Sequence, residues 1–489
     1  MRRKTERILS LLVVTTVFLL TVSGTAHAQD GVTVTAETGT LAHGATYLIE
    51  VPKPWNGTLF LYSHGYVAPT PDSKNPALDV GDPFTRFFML SSGYALAGSS
   101  YATKGWAIED ALRDQIAVLD LFKLVVGQPK RTIAWGHSLG GIITAGLIQR
   151  NPERFDAALP MCGVLSGGVA TWNTALDSEF AFKTLLAPGT GLQLVNIANP
   201  FANLEIAEGV LAQAQATPQG RAHIALVAAL GDLPGWFTPL SPEPAPTDFA
   251  SQEMNQFLWS QIVDFPFLFA LRAELEARAQ GNVSWNTGVD YRKQLDRSIG
   301  REEVRALYEQ AGLDLDADLK TLNETARISA DPEAVRYLER NIIFNGEIHF
   351  PVLTLHTKGD GLVVVQNESA YKEVVDEAGN QKFLRRTFVD RAGHCTFTPA
   401  ETIAAAMTLI NRLDTGRWND VDPKDLNNAA AVLGPGFNLF VNSAGQIVPV
   451  SPAFFKFNPS RYLRPFDALT EECEFGFLCG DPSFERGER

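Results

Sequence analysis

Between about residues 32 and 163, short runs of β-branched and aromatic residues alternate with stretches whose apolar positions recur at helical spacing. Residues 47–51, 58–62, 94–97, 132–135 and 157–161 read as strands, and residues 108–124 and 142–149 read as helices. Such alternation predicts an α/β sheet with helices packed over it. From residue 165 to 349 the helical period dominates (205–214, 252–279, 302–311, 332–341), broken by the proline-rich turn Pro239-Leu240-Ser241-Pro242-Glu243-Pro244-Ala245-Pro246. Strand patterns resume at 352–356 and 386–389, and a helix at 398–413 carries Pro399 in its first turn, where a missing N–H costs nothing. The tail has no clear period and is expected to pack as an irregular extension. The chain thus divides into two parts of an α/β core (29–164 and 350–415), a helical lid or cap insertion (165–349) and an extension (416–489).

Composition adds exclusions. With 45% hydrophobic and 20% charged residues the bulk of the chain is not disordered, and a net charge of -14 argues against binding the phosphates of nucleic acid. The first residues stand apart: Arg2, Arg3, Lys4 and Arg7 precede a 15-residue apolar run and the small-residue pattern Ala26-His27-Ala28. That run is short for a membrane span of about 20 residues. Residues 1–28 therefore read as a signal peptide, which predicts a secreted, extracellular or periplasmic protein with no membrane attachment after cleavage. The four cysteines, Cys162, Cys395, Cys473 and Cys479, then fall in a disulfide-permissive compartment. No CxxC or histidine cluster has metal-ligand spacing, so neither a metal nor another cofactor is expected.

The chemistry is concentrated in four loops. Gly136-His137-Ser138-Leu139-Gly140-Gly141 lies between a strand and an apolar helix, the setting in which GxSxG forms a nucleophile elbow. A serine hydroxyl needs a base, and His394, in the loop Arg391-Ala392-Gly393-His394-Cys395, follows the last core strand. The base needs a carboxylate to fix its tautomer. Asp360, in Lys358-Gly359-Asp360-Gly361, is the preferred candidate, and Asp390, four residues before His394, competes with it. His356, inside a strand pattern, and His137, beside the nucleophile, read as structural. The oxyanion of the transition state needs N–H donors, and these are expected from Leu139 and from Tyr66 in Ser63-His64-Gly65-Tyr66.

Together these segments resemble the α/β-hydrolase fold family, over roughly residues 32–163 and 350–413. The resemblance implies a mostly parallel eight-stranded sheet with helices on both faces and a lid inserted after the sixth strand, where the helical block falls. Gly393-His394-Cys395 is also similar to secreted tannase and feruloyl esterase relatives, in which the cysteine after the histidine is bonded to one just before the nucleophile. Here His137 occupies that second place. Cys473 and Cys479 are close enough in sequence for a local bridge, leaving Cys162 and Cys395 at the catalytic edge as either a second bridge or two free thiols.

The leading expectation is a secreted serine hydrolase cleaving carboxylic esters, small or polymeric, through an acyl-enzyme. The alternative is an exported peptidase, aminopeptidase or amidase of the same fold. An aminopeptidase would use lid carboxylates to hold an ammonium, and Glu274 and Glu276 are candidates, though Glu274 and Arg278 also read as an ordinary pair on a solvated helix face. The lid aromatics Trp236, Phe237, Phe257, Trp259, Phe265, Phe267 and Phe269 read mainly as lid core, with some facing the substrate acyl group.

Overall fold

The computed structural model describes residues 33–70, 73, 79–441 and 445–466. The expected signal peptide and the Cys473 and Cys479 pairing lie outside the described residues. The strands in chain order are β1 (Thr33–Thr40), β2 (Thr46–Lys53), β3 (Thr58–Ser63), β4 (Ala95–Ser99), β5 (Arg131–His137), β6 (Ala157–Met161), β7 (Val352–Gly359), β8 (Leu384–Ala392), β9 (Leu439–Val441), β10 (Ile447–Pro449) and β11 (Phe454–Phe455).

Strand β3 shows how the sheet is held. All of its residues are buried, yet they alternate in what they touch. Leu59 and Leu61 join one apolar layer with helix residues Leu119, Phe122 and Ile142, whereas Phe60 and Tyr62 join the opposite layer with Met89, Ala404 and Leu409. Side chains of period two on a sheet covered by helices on both faces give this double burial.

The main sheet runs β1-β2-β4-β3-β5-β6-β7-β8-β11, parallel from β4 through β8, with β1, β2 and β11 antiparallel to their neighbours. The first eight strands follow the α/β-hydrolase order. The ninth, β11, comes from the tail and pairs Phe454 with Val389 and Phe455 with Phe388. It covers the β8 edge, whose unpaired N–H and C=O groups would otherwise be open to other chains. The expectation of an irregular tail is corrected here: it holds helix Pro423–Val432, the β9–β10 pair and this edge strand.

The helical block falls between β6 and β7 and packs around a core of its own, in which Leu176, Phe182, Leu226, Phe265 and Phe269 are buried together. The helix expected over 252–279 is present, running without interruption over 249–279 with two π-helical turns inside it. Helix Phe249–Trp259 passes into two π-helical segments, Ser260–Asp264 and Phe267–Leu271, before helix Arg272–Ala279. Pro266, between the two segments, has no N–H to donate, and the backbone widens around it: the Phe265 N–H bonds to Ser260 O five residues back. Among the described residues no helix is long and apolar enough to cross a membrane.

Candidate active site

Ser138 occupies the turn between β5 and helix Leu139–Arg150 with φ 58° and ψ -123°, a conformation a non-glycine residue adopts only when its surroundings impose it. The constraint is steric. A Cβ on Gly136 would lie 2.4 Å from Ser63 O, and one on Gly140 would lie 1.9 Å from the same atom. Two glycines therefore let the turn press against the end of β3, and the serine hydroxyl is left facing the cavity above the sheet.

The histidine loop is fixed from three sides. Gly393, at φ +96°, donates its N–H to Gly359 O at 2.9 Å and accepts at its carbonyl from Thr357 Oγ1 at 2.7 Å. Cys395 is disulfide-bonded to Cys162 at the end of β6, with Cα atoms 5.4 Å apart. The bridge closes a sequence separation of 233 residues, which gives it the capacity to restrict the unfolded chain strongly. Behind the loop, Arg391 forms a buried pair with Glu401 at 2.8 Å, and Glu401 completes a capping box with Thr398 at the start of helix Pro399–Thr415.

In this frame His394 Nε2 stands 2.7 Å from Ser138 Oγ, and His394 Nδ1 stands 2.8 Å from Asp360 Oδ2. The Val363 N–H donates to the other carboxylate oxygen, Oδ1, at 2.9 Å. Asp390 is not part of the group: it is exposed on β8, with Lys358 Nζ 3.6 Å away. Burial alone would raise the Asp360 pKa, but the charge of His394 and hydrogen bonds from His356 and His394 outweigh it and hold the pKa below the ordinary value.

His356, read from sequence as structural, stands behind the acid. Its Nδ1 lies 3.2 Å from Glu368 Oε1, its Nε2 lies 2.8 Å from Val363 O, and Asp360 Oδ2 is 3.6 Å from the same Nε2. Both ring nitrogens thus face acceptors, and only the imidazolium can donate to both. Burial opposes that charge, but the contacts with Asp360 and Glu368 prevail and push the pKa up to about 10.

The two expected oxyanion donors line the same cavity as Ser138. The Leu139 N–H opens a helix and has no intrahelical partner, while the Tyr66 N–H donates to no other group among the described residues. His64 shapes the Tyr66 loop: its Nδ1 lies 2.7 Å from Gly65 O, its ring stacks 3.9 Å from that of Tyr101, and burial lowers its pKa to about 4, so Nδ1–H donates from a neutral ring. His137 turns away from the serine and meets the Tyr62 hydroxyl at 3.2 Å.

The lid closes the cavity, about 140 Å³ in volume, with Trp172, Phe265 and Phe267 facing Ser138 and Leu139. Trp236, Trp259 and Phe269 instead are buried in packing contacts. Glu274 and Glu276 are not on a solvated face, which corrects that expectation. Glu274 accepts from the Trp106 N–H at 2.9 Å and pairs with Arg278 at 2.8 Å, and the buried Glu276 accepts from Arg272 Nε and the Asn196 N–H at 2.9 and 2.7 Å. Sequence reasoning missed Trp172 and, from less expected places, Asp264 and Tyr462. Asp264 comes from the π-helical segment, and Tyr462 comes from the tail, where Arg464 reaches Asp177 at 3.1 Å and the Trp285 carbonyl at 3.0 Å.

Asp360, His394 and Cys395 also form a compact group of metal-ligand types. The cysteine sulfur is committed to its disulfide and the other two side chains to each other, so the group's chemistry is proton transfer rather than coordination.

The prolyl oligopeptidase family profile matches residues 98–185, which include the serine turn. Among solved structures the chain is similar to an esterase from Aspergillus oryzae (14% identity, TM-score 0.42, covering 80% of this chain and 81% of that one). It is also similar to feruloyl esterase B from the same organism (12% identity, TM-score 0.38, 79% and 81%). A curated relative, the o-phthalyl amidase of Xanthobacter agilis, is 30% identical over 438 residues, 82% of this chain and 92% of the relative. The chain belongs to the α/β-hydrolase family that includes this amidase, and it is a serine hydrolase.

Proposed function

We propose that the protein is an exported serine amidase that releases a small aromatic acyl group, with Ser138 as nucleophile, His394 as general base and acid, and Asp360 as the carboxylate that orients it. The observation that carries the reading is the run of two short contacts, 2.7 Å from Ser138 Oγ to His394 and 2.8 Å from His394 to Asp360, opening into an aromatic cavity. His394 Nε2 takes the hydroxyl proton as Oγ attacks the acyl carbon, and the Leu139 and Tyr66 N–H groups stabilise the oxyanion. His394 then returns the proton to the leaving nitrogen, and water hydrolyses the acyl-enzyme by the same sequence in reverse.

An amide leaving group is favoured over the ester expected from sequence because of the 30% identity to an amidase across nearly its whole length. Esters of the same acid would be cleaved through the same acyl-enzyme. An aminopeptidase is disfavoured because Glu274 and Glu276 are both already bonded. Export rests on the signal-like first 28 residues and on a disulfide beside the site. Assay of purified protein against phthalyl monoamides, benzamides, p-nitrophenyl benzoate and aminoacyl p-nitroanilides tests the reading. Release of the aromatic acids is expected, and turnover of the aminoacyl anilides alone would overturn it.

A further inference from the structure

The Leu139 N–H is fixed at the start of a helix, but the Tyr66 N–H is held by no regular element: residues 64–70 carry neither helix nor strand. Its loop is braced by the neighbouring segment 101–106. The Tyr101 hydroxyl donates to His64 O at 3.0 Å, the Gly105 N–H to Val67 O at 2.8 Å, and Lys104 Nζ to Ser73 O at 2.5 Å. The same segment is gripped from the lid. Glu274 Oε2 accepts from the Trp106 N–H at 2.9 Å. Arg278 donates from Nε to the other carboxylate oxygen at 2.9 Å, and from Nη2 to Thr103 Oγ1 at 3.0 Å and Lys104 O at 2.9 Å. Gly105 makes the seat: at φ +84°, a Cβ there would lie 2.3 Å from the Glu274 carboxylate. The Tyr66 ring meets the lid as well, edge to face with Phe267 at 5.0 Å.

We propose that Glu274, braced by Arg278, is a positioning residue for the oxyanion hole: through segment 103–106 and the Gly105–Val67 bond it sets the place of the Tyr66 N–H. The inference rests on the acyl-transfer reading above, in which that N–H binds the oxyanion. An ion pair serving the lid alone would have no need to bond the backbone of segment 103–106, one hydrogen bond from the oxyanion loop. A donor of this kind contributes only where it meets the position the oxyanion will occupy. An error in its placement is therefore felt in the transition state and not in the bound substrate. Seating of helix Arg272–Ala279 and completion of the oxyanion hole become one event.

Glu274→Ala, Glu274→Asp and Glu274→Gln are compared with the wild type in hydrolysis of p-nitrophenyl benzoate, inhibition by trifluoroacetophenone and urea unfolding. The ketone mimics the transition state: Ser138 Oγ adds to its carbonyl carbon, the C=O electron pair becomes the oxyanion and the hydroxyl proton passes to His394. Loss of an oxyanion donor costs about 10²–10³ in kcat, and its displacement in Glu274→Ala is expected to cost about ten- to a hundredfold. The ketone is expected to weaken by a similar factor, with KM within about threefold of wild type. Glu274→Asp, too short for the Trp106 N–H, is expected to lose kcat in the same way. Glu274→Gln, whose amide oxygen still accepts that bond, is expected to regain most of it. Should Glu274→Ala fail to fold, the Asp and Gln variants carry the same comparison. Unchanged kcat and ketone inhibition in the Ala or Asp variant, a rise in KM that matches the weakening of the ketone, or a Gln variant no better than Asp would each overturn the proposal and leave the acyl-transfer reading standing. A wild type that neither hydrolyses the ester nor binds the ketone would overturn that reading, and this proposal with it.

Discussion

The two walls of the catalytic cavity are built on different principles. The core wall consists of turns at the ends of neighbouring parallel strands, where β3, β5, β7 and β8 deliver the Tyr66, Ser138, Asp360 and His394 loops. Each turn is short and braced by glycines, backbone hydrogen bonds or the Cys162–Cys395 bridge. The lid wall is assembled from distant pieces: helix Gly168–Leu185, the π-helical segments near residue 264, and Tyr462 from the tail. Chemistry that needs sub-ångström placement is carried by the rigid edge of the sheet. The other wall belongs to a helical block that has a core of its own and also joins the core over one sheet face through Trp172, Leu275 and Leu338.

The core wall is broken at the acid. Asp360→Asn leaves the geometry in place but offers His394 an amide in place of a carboxylate, and kcat is expected to fall by about 10⁴. Asp390→Asn touches only an exposed pair with Lys358 and should change kcat by less than about threefold. Steady-state kinetics on both variants decides the matter, and a reversed ranking would transfer the role to Asp390.

The lid wall is broken more gently, through the tail. Arg464→Ala leaves Asp177 buried without the guanidinium that reaches it at 3.1 and 3.2 Å. Losing one partner of a buried pair costs about 3–5 kcal/mol, which urea unfolding measures. Because Tyr462 lies two residues away on the cavity surface, KM for aromatic amides is expected to rise more than kcat falls. An unchanged unfolding midpoint would show that the tail does not secure the lid.

What could be read from the sequence follows the same division. Ser138, Asp360, His394, Leu139 and Tyr66 sit in local patterns in which a strand end, a glycine and a reactive side chain are contiguous, so a few residues suffice to place each one. β1 was invisible because its residues are mostly exposed and include four threonines and no continuous apolar side. Helix Gly168–Leu185 buries residues around its whole circumference, which removes the amphipathic period. The π-helical turns on either side of Pro266 depend on how the backbone absorbs one missing N–H. The places of Asp264 and Tyr462 in the cavity wall and of Glu368 behind His356 depend on how segments far apart in sequence pack, and no local pattern announces them.

The most direct test of the core wall is to trap its nucleophile. The protein is treated with a fluorophosphonate, digested and mapped by mass spectrometry, with Ser138→Ala alongside it and turnover of an aromatic amide measured on both. A single adduct on the Ser138 peptide is expected, absent from the variant, together with a loss of turnover of at least about 10⁴. An adduct on another residue, or a variant that still hydrolyses the amide at a comparable rate, would contradict the assignment of the chemistry to this edge of the sheet.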